Sequence, residues 1–262
     1  MAIQFPHSPG LVVYLTIGDP DLATSKRIAL AAIDAGADVL ELGVPFSDPL
    51  ADGPVIQRAS ERAVRNGTRL EDVLALARDL RNQRPHVGLV VFSYLNPILR
   101  MGLEKFAAAA EQAGVDAVLV TDLIVEESKE YRAILRRHRL QPIFLAAPTS
   151  PDDRLARIAE VSEGFIYAIS RVGITGAQQE LAGDARDLVS RLRRYTRLPI
   201  ALGFGISNAA HVAAVAEFAD AAVIGSAIVA LIEKSGPQDA PAAVGAFIAA
   251  LRAPVASETA VS

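Results

Sequence analysis

Two rhythms run along the chain. Short, continuous apolar runs occupy residues 11–17, 39–44, 87–94, 117–121, 142–147, 164–170, 198–203 and 221–225. Between them lie longer charged stretches, rich in Ala and Leu and helical in spacing. These fall at 22–35, 54–66 with 70–83, 103–113, 126–138, 151–161, 185–195, 208–218 and 227–234. The short runs are continuously apolar rather than alternating between apolar and polar, which predicts strands covered on both faces. Punctuation agrees with this division. Ser150 before Pro151, and Ser207 before Asn208, suit helix starts. Gly36 and Gly114 stand just past helix ends, where a left-handed cap residue is wanted. Asp38, Asp116 and Asp220 then lead into strands.

Eight such strand–helix units, with no Pro/Gly/Ser-rich linker, predict an α/β fold: a single (β/α)8 TIM barrel spanning residues 1–253. Residues 254–262 read as a small polar tail expected to be disordered. An open doubly wound sheet is the alternative, and the early Gly-rich dinucleotide fingerprint it would carry is absent. A barrel places its site at the C-terminal ends of its strands.

Composition narrows the class. Hydrophobic residues make up 51% of the 262 and the mean hydropathy is +0.29, which raises the question of a membrane. The longest apolar stretch, 221–232, is broken by Gly225 and Ser226 and falls short of the roughly 20 residues a spanning helix needs. Residues 1–10 lack a signal peptide's basic-then-apolar layout, so a soluble cytoplasmic protein is expected. Aromatics at 5% argue against a sandwich. Lys+Arg 26 against Asp+Glu 30 leaves a net charge of −4 without a basic block, which disfavours nucleic acid. With no Cys, disulfides and thiolate chemistry are excluded.

The remaining chemistry is narrowed by position. Lys26, Lys105, Lys129 and Lys234 all fall on predicted helices, so no strand offers a Schiff-base lysine. His7, His86, His138 and His211 share no strand end and no metal-ligand spacing; no metal is expected. The Arg132, Arg136, Arg137 and Arg139 run has helical spacing and reads as a solvated face. Carboxylates and hydroxyls are left. Strand alternation turns Glu41 and Gly43 to the barrel interior, with Gly43 leaving room for a ligand. A buried, unpaired Glu has the raised pKa that acid/base work near neutrality requires. The following loop is stiffened by Pro45, Pro49 and Pro54 and carries Asp48 and Asp52. Taken singly, an Asp before Pro or Gly also suits a turn, and the pattern leaves both readings open.

Late in the chain, residues 171–176, 203–207 and 225–226 are Gly-rich at predicted strand ends. Each Gly alone fits a turn. Two of them opening helices after the seventh and eighth strands match a backbone phosphate site. The polar stretch 176–183, with Gly at both ends, reads as a mobile lid.

Residues 41–54, Glu-Leu-Gly-Val-Pro-Phe-Ser-Asp-Pro-Leu-Ala-Asp-Gly-Pro, closely resemble the signature of the tryptophan synthase alpha subunit family. The likeness continues in order through 14–20, 94–97, 121–123, 171–176, 203–207 and 225–228. It implies cofactor-free retro-aldol cleavage of indole-3-glycerol phosphate to indole and glyceraldehyde 3-phosphate. Glu41 would then be the principal acid/base, and Asp52 would hold the indole N–H as positive charge develops on the ring. Tyr14, Tyr94, Leu145, Tyr167 and Phe204 would line the substrate pocket. Gly176, Gly205, Gly225 and Ser226 would hold phosphate, and Thr175 would meet Asp52 when the lid closes. A beta subunit in an alpha2beta2 assembly is implied, with pyridoxal phosphate expected only in that partner. A synthase forming indole-glycerol phosphate would need a strand-end lysine that is absent here. An alpha chain kept only as an inert activator is opposed by the intact Glu41 and Asp52. The chain departs from the family in two places. Ten residues before the first strand are too few for the usual helix under the barrel, so little or no such helix is expected. Ile124 also stands where Pro is common in the fourth strand–helix loop, part of the family's partner interface.

Overall fold

The computed structural model describes residues 3–169, 178–203 and 205–253. Its strands are β1 (Gly10–Thr16), β2 (Val39–Gly43), β3 (Gly88–Ser93), β4 (Ala117–Val120), β5 (Gln141–Ile143), β6 (Leu145–Ala146), β7 (Ile166–Ile169), β8 (Ile200–Gly203) and β9 (Ala221–Ile224). All pair in parallel, in the order β5-β4-β3-β2-β1-β9-β8-β7-β6. The two outermost strands are halves of one segment, separated only by Phe144. Gln141–Ile143 pairs with β4 and Leu145–Ala146 with β7, so the fifth expected strand closes a TIM barrel. Pro142 removes an N–H donor from this segment, where the ladder is thin.

Alternate residues of each strand serve different cores. Val12, Val39, Val90, Leu119, Ile143, Ala201 and Val223 pack inside the barrel. Leu11, Leu40, Leu42, Val91, Val118 and Leu202 face outward onto helix residues such as Ile28, Leu80, Phe106 and Ile158. The helices are α1 (Leu22–Asp34), α2 (Pro54–Arg65), α3 (Leu70–Gln83), α4 (Leu95–Met101), α5 (Leu103–Gln112), α6 (Lys129–Arg137), α7 (Asp152–Val161), α8 (Gln178–Leu192), α9 (Ala209–Ala216) and α10 (Ser226–Arg252). Asp21 caps α1 through Thr24 N–H at 2.7 Å, and Asn208 caps α9 through His211 N–H at 2.9 Å. At α7 the expected cap is displaced. Pro151 takes the cap position, while the Ser150 hydroxyl accepts from Ala147 N–H.

Two sequence expectations are corrected. Helix α4 was hidden by Pro97, which is tolerated in a first turn. Helix α10 continues well past residue 234, kinked at Gly236 (φ 73°), after which Pro237 starts a new helical segment. Of the expected lid 176–183, residues 176 and 177 lie outside the described residues, and Gln178 begins α8. The tail 254–262 lies outside the described residues.

The bottom of the barrel, at the strand N-termini, is held by three similar brackets. The carboxylates of Asp38, Asp116 and Asp220 accept from Leu11, Leu89 and Ile200 N–H on the preceding strand at 2.8, 2.9 and 2.7 Å. Each is paired with an arginine: Arg252, Arg81 and Arg193. Ile3 joins the interior cluster, and the Phe5 ring meets Phe165 edge-on at 5.9 Å. These two side chains fill the end where a covering helix was not expected, and no described residue before β1 is helical. A cavity of about 590 Å³ opens beside them, lined by His7, Arg193, Glu217 and Asp220 among others. Those four are engaged in ion pairs with Asp38, Asp220, Arg186 and Arg193 respectively.

Candidate active site

At the opposite end, β2 carries Glu41 into the barrel. Strand parity places it inside with Val39, and it is wholly buried. Among the described residues neither carboxylate oxygen has a hydrogen-bond partner. Burial pushes its pKa up to about 8 from an ordinary 4.5. A carboxyl group in this state holds its proton at neutral pH and can both give and recover one there.

Directly across the ladder from Glu41 stands Tyr14 on β1. The Tyr14 ring lies edge-on to Phe92, 5.1 Å between centroids, and its hydroxyl accepts from Thr16 Oγ1 at 3.3 Å. The space beside Gly43 is not left for a ligand, as strand parity had suggested. A Cβ there would stand 2.4 Å from the Tyr14 hydroxyl, so the tyrosine already fills it. Gly203 does the same for Tyr167, whose hydroxyl would lie 2.7 Å from an added Cβ. Tyr167 sits in register with Leu145, and both join the interior cluster. Burial and the nearby carboxylates raise the pKa of both phenols, so they stay protonated.

Asp52 overhangs this pocket from the loop between β2 and α2. Burial raises its pKa to about 6, opposed by a hydrogen bond from Tyr94. The Tyr94 hydroxyl donates to Asp52 Oδ2 at 3.1 Å and accepts from Ala51 N–H at 2.9 Å. Helix α2 ties down the same loop. Gln57 Nε2 donates to the carbonyls of Asp52 and Pro49 at 2.8 and 3.4 Å. Ser60 Oγ accepts from Phe46 N–H at 2.8 Å and donates to Phe46 O at 3.0 Å. Asp48 stays out of the pocket, exposed, where it accepts from the Ser47 hydroxyl. Of the loop's two aspartates, Asp48 faces solvent and Asp52 is turned toward the pocket phenols.

The third wall is formed by the last strands. Gly225 precedes Ser226, the first residue of α10, and its Cβ position lies 3.5 Å from the Tyr14 Cβ. The helix N-terminus therefore opens onto the same pocket, with Gly205 (φ 31°) exposed after β8. Thr175, Gly176 and Phe204 lie outside the described residues. Sequence reasoning missed Phe92, Phe46, Gln57 and Ser60. Phe92 shares inward parity with Val90 on β3 and was open to the same test that placed Glu41. The α2 residues carry no comparable sequence signal, because their partners are backbone groups of a loop. Among the described residues no group of three or more His, Cys, Asp or Glu is placed to hold a metal. No described helix is long and apolar enough to cross a membrane.

The profile of the family described as tryptophan synthase alpha chain matches residues 2–253. The chain is 47% identical to the tryptophan synthase alpha chain of Burkholderia thailandensis over 246 residues, covering 94% of this chain and 91% of the relative. Its identity to the Solibacter usitatus alpha chain is 48% over 225 residues, 86% and 84% of the two. Among solved structures it resembles a chain of the Pyrococcus furiosus tryptophan synthase a2b2 complex, with a TM-score of 0.88 and 39% identity over 93% of this chain and 98% of that one. A chain of Mycobacterium tuberculosis tryptophan synthase aligns with a TM-score of 0.84 at 37% identity, over 94% of each chain.

Proposed function

Because the chain belongs to the tryptophan synthase alpha chain family, we propose that it cleaves indole-3-glycerol phosphate to indole and glyceraldehyde 3-phosphate by acid/base chemistry. The observation that carries this reading is Glu41: wholly buried, without a hydrogen-bond partner, and protonated at neutral pH. Cleaving the bond between the indole ring and the glycerol chain needs a proton delivered to the ring carbon. The neutral Glu41 supplies it, and the resulting carboxylate takes the proton released as the glycerol hydroxyl becomes a carbonyl. Positive charge grows on the ring nitrogen meanwhile, and an ionised Asp52 at the mouth stabilises it. Tyr14, Tyr167, Phe92, Tyr94 and Leu145 supply a shaped apolar wall for the ring. The Gly225–Ser226 helix start and Gly205 offer backbone N–H groups to the phosphate, alongside Gly176. Thr175 and Phe204 complete the set as pocket residues.

The partner reading rests on the rim. Leu50, Leu99 and Ile124 are exposed by 91%, 55% and 44%, on the connections after the neighbouring strands β2, β3 and β4. A beta chain docked over them would receive indole from the mouth and carry any pyridoxal phosphate itself. The setting is the cytoplasm, in tryptophan biosynthesis.

The test is indole release from indole-3-glycerol phosphate, with a beta chain present, by the wild type and by Glu41→Gln. Glutamine keeps the shape and cannot exchange a proton, so loss of at least about a hundredfold in kcat is expected. Equal rates would overturn the assignment. The wild-type kcat/KM should rise with pH through about 6, as Asp52 ionises. It should fall through about 8, as Glu41 loses its proton.

A further inference from the structure

We infer that Tyr94 is a positioning residue for this cleavage: it acts through Asp52, fixing both the direction of the carboxylate and the loop backbone beside it. The inference rests on the reading of Asp52 given above, and it differs from a role for Tyr94 as pocket wall alone.

The argument is geometric. Asp52 stands on a loop whose tip is open to solvent, Leu50 being 91% exposed. Gln57 and Ser60 tie the loop's backbone to α2. Asp52 N–H itself donates to Pro49 O at 3.1 Å. None of these contacts orients the carboxylate. The hydrogen bond the structure gives the Asp52 side chain comes from Tyr94, at 3.1 Å. The same oxygen of Tyr94 accepts from the adjacent Ala51 N–H, at 2.9 Å. One hydroxyl thus gives its proton to the carboxylate and its lone pair to the neighbouring peptide, pinning side chain and main chain together. The hydroxyl is itself well placed to do so. Tyr94 directly follows β3 and caps α4, is only 5% exposed, and its ring packs on Phe46 at 5.1 Å. A rigid strand end therefore sets where the carboxylate points.

The surroundings leave this task to Tyr94. The titratable groups facing Asp52 are Tyr94 from the end of β3, Tyr14 from β1 and Tyr167 from β7. Among the described residues no cation contributes to its ionisation: burial opposes the charge, and the Tyr94 hydrogen bond is what favours it. A hydrogen bond to the charged form of a buried carboxylate stabilises that form. Removing it makes Asp52 harder to ionise and frees it to rotate away from a ring N–H.

Tyr94→Phe tests this, because it keeps the ring and its contact with Phe46 and deletes both hydrogen bonds. Two readouts are needed. One is the pH profile of indole-3-glycerol phosphate cleavage by the complex with a beta chain. The other is the carboxyl 13C titration of Asp52 in the alpha chain, assigned with Asp52→Asn, which requires no turnover. The expected result is an acid limb and an Asp52 titration both moved up by about one pH unit. Below neutrality kcat should fall roughly tenfold, with KM changing less and kcat recovering in part at higher pH. An unmoved titration, or a pH-independent loss confined to KM, would overturn the inference and leave Tyr94 a pocket wall. If the wild type itself released no indole, the lyase reading would fail. The titration would still decide whether Tyr94 holds Asp52.

Discussion

Glu41 is a carboxyl group placed where water does not reach and no donor meets it, and a protein keeps such a group at a cost to its stability. The cost has a pH dependence whose sign follows from linkage. In the unfolded chain the group releases its proton near 4.5, whereas the folded chain holds the proton up to about 8. Below 4.5 both states are neutral at this position and nothing is lost. As pH rises from 4.5 to about 8, only the unfolded chain ionises, and the fold weakens relative to it. Glu41→Gln removes the titration, so its stability relative to wild type should improve between pH 4.5 and 8.5. The upper limit is on the order of 4 kcal/mol, since each pH unit separating the folded and unfolded titrations is worth about 1.4 kcal/mol. Urea unfolding of both proteins at the two pH values measures it, and parallel curves would contradict a buried neutral Glu41. At this scale the sequence was readable to the extent that one strand is self-sufficient. Parity alone turns Glu41 inward. The fate of the space beside Gly43 depends on Tyr14 of another strand, and on the β1–β2 register that sets them side by side.

Elements are joined at the bottom by the Asp–Arg brackets, and their weight is testable against a surface pair. The Asp116 carboxylate, 4% exposed, meets Arg81 at 2.5 Å and accepts from Leu89 N–H. The same guanidinium also donates to the carbonyls of Gly114, Pro85 and Val87. Asp116→Ala takes the acceptor from the Leu89 N–H and the carboxylate from a largely buried guanidinium together, and a loss of about 3 kcal/mol is expected. Asp34 pairs with Arg84 through two hydrogen bonds, with both side chains in water. Asp34→Ala should change stability by less than about 0.5 kcal/mol. Thermal or urea unfolding of the two variants separates these outcomes, and equal losses would refute the distinction. The Gly-Ala-Asp and Gly-Val-Asp joints at 36–38 and 114–116 were visible as helix ends leading into strands. Their arginine partners were not, since Arg252 lies 214 residues from Asp38. The same logic explains the elements that were missed. The final helical stretch begins at Gly236-Pro237, a pair that reads as a stop until its packing on α1 shows it to be a restart. The fifth strand reads as one run, and only its two partners, β4 and β7, divide it.

Seen whole, the barrel divides along its axis: brackets and the Ile3–Phe5 fill lie at one end, and the buried carboxylates and phenols proposed to do the chemistry lie at the other. The high apolar content, which first raised the question of a membrane, is absorbed by the two sides of the barrel wall. Large apolar side chains left in solvent are therefore informative. Leu50, Leu99 and Ile124 sit on successive connections around the mouth, and an apolar rim over the proposed site fits a partner that closes on it. If a beta chain docks there, Leu50→Asp should weaken the association at least about tenfold, because a charge would be desolvated in the middle of the contact. The change should leave the unfolding temperature of the isolated chain nearly unaltered, since the side chain is 91% exposed. Tyr195, 40% exposed beyond the end of α8 at the bottom, provides the control: Tyr195→Asp places the same charge at an exposed apolar side chain far from the mouth, and beta-chain affinity should be unchanged. Calorimetric titration of each variant with a beta chain reads both. Equal affinity for Leu50→Asp and wild type would move the partner off this rim, and loss in both variants would place the contact elsewhere on the barrel.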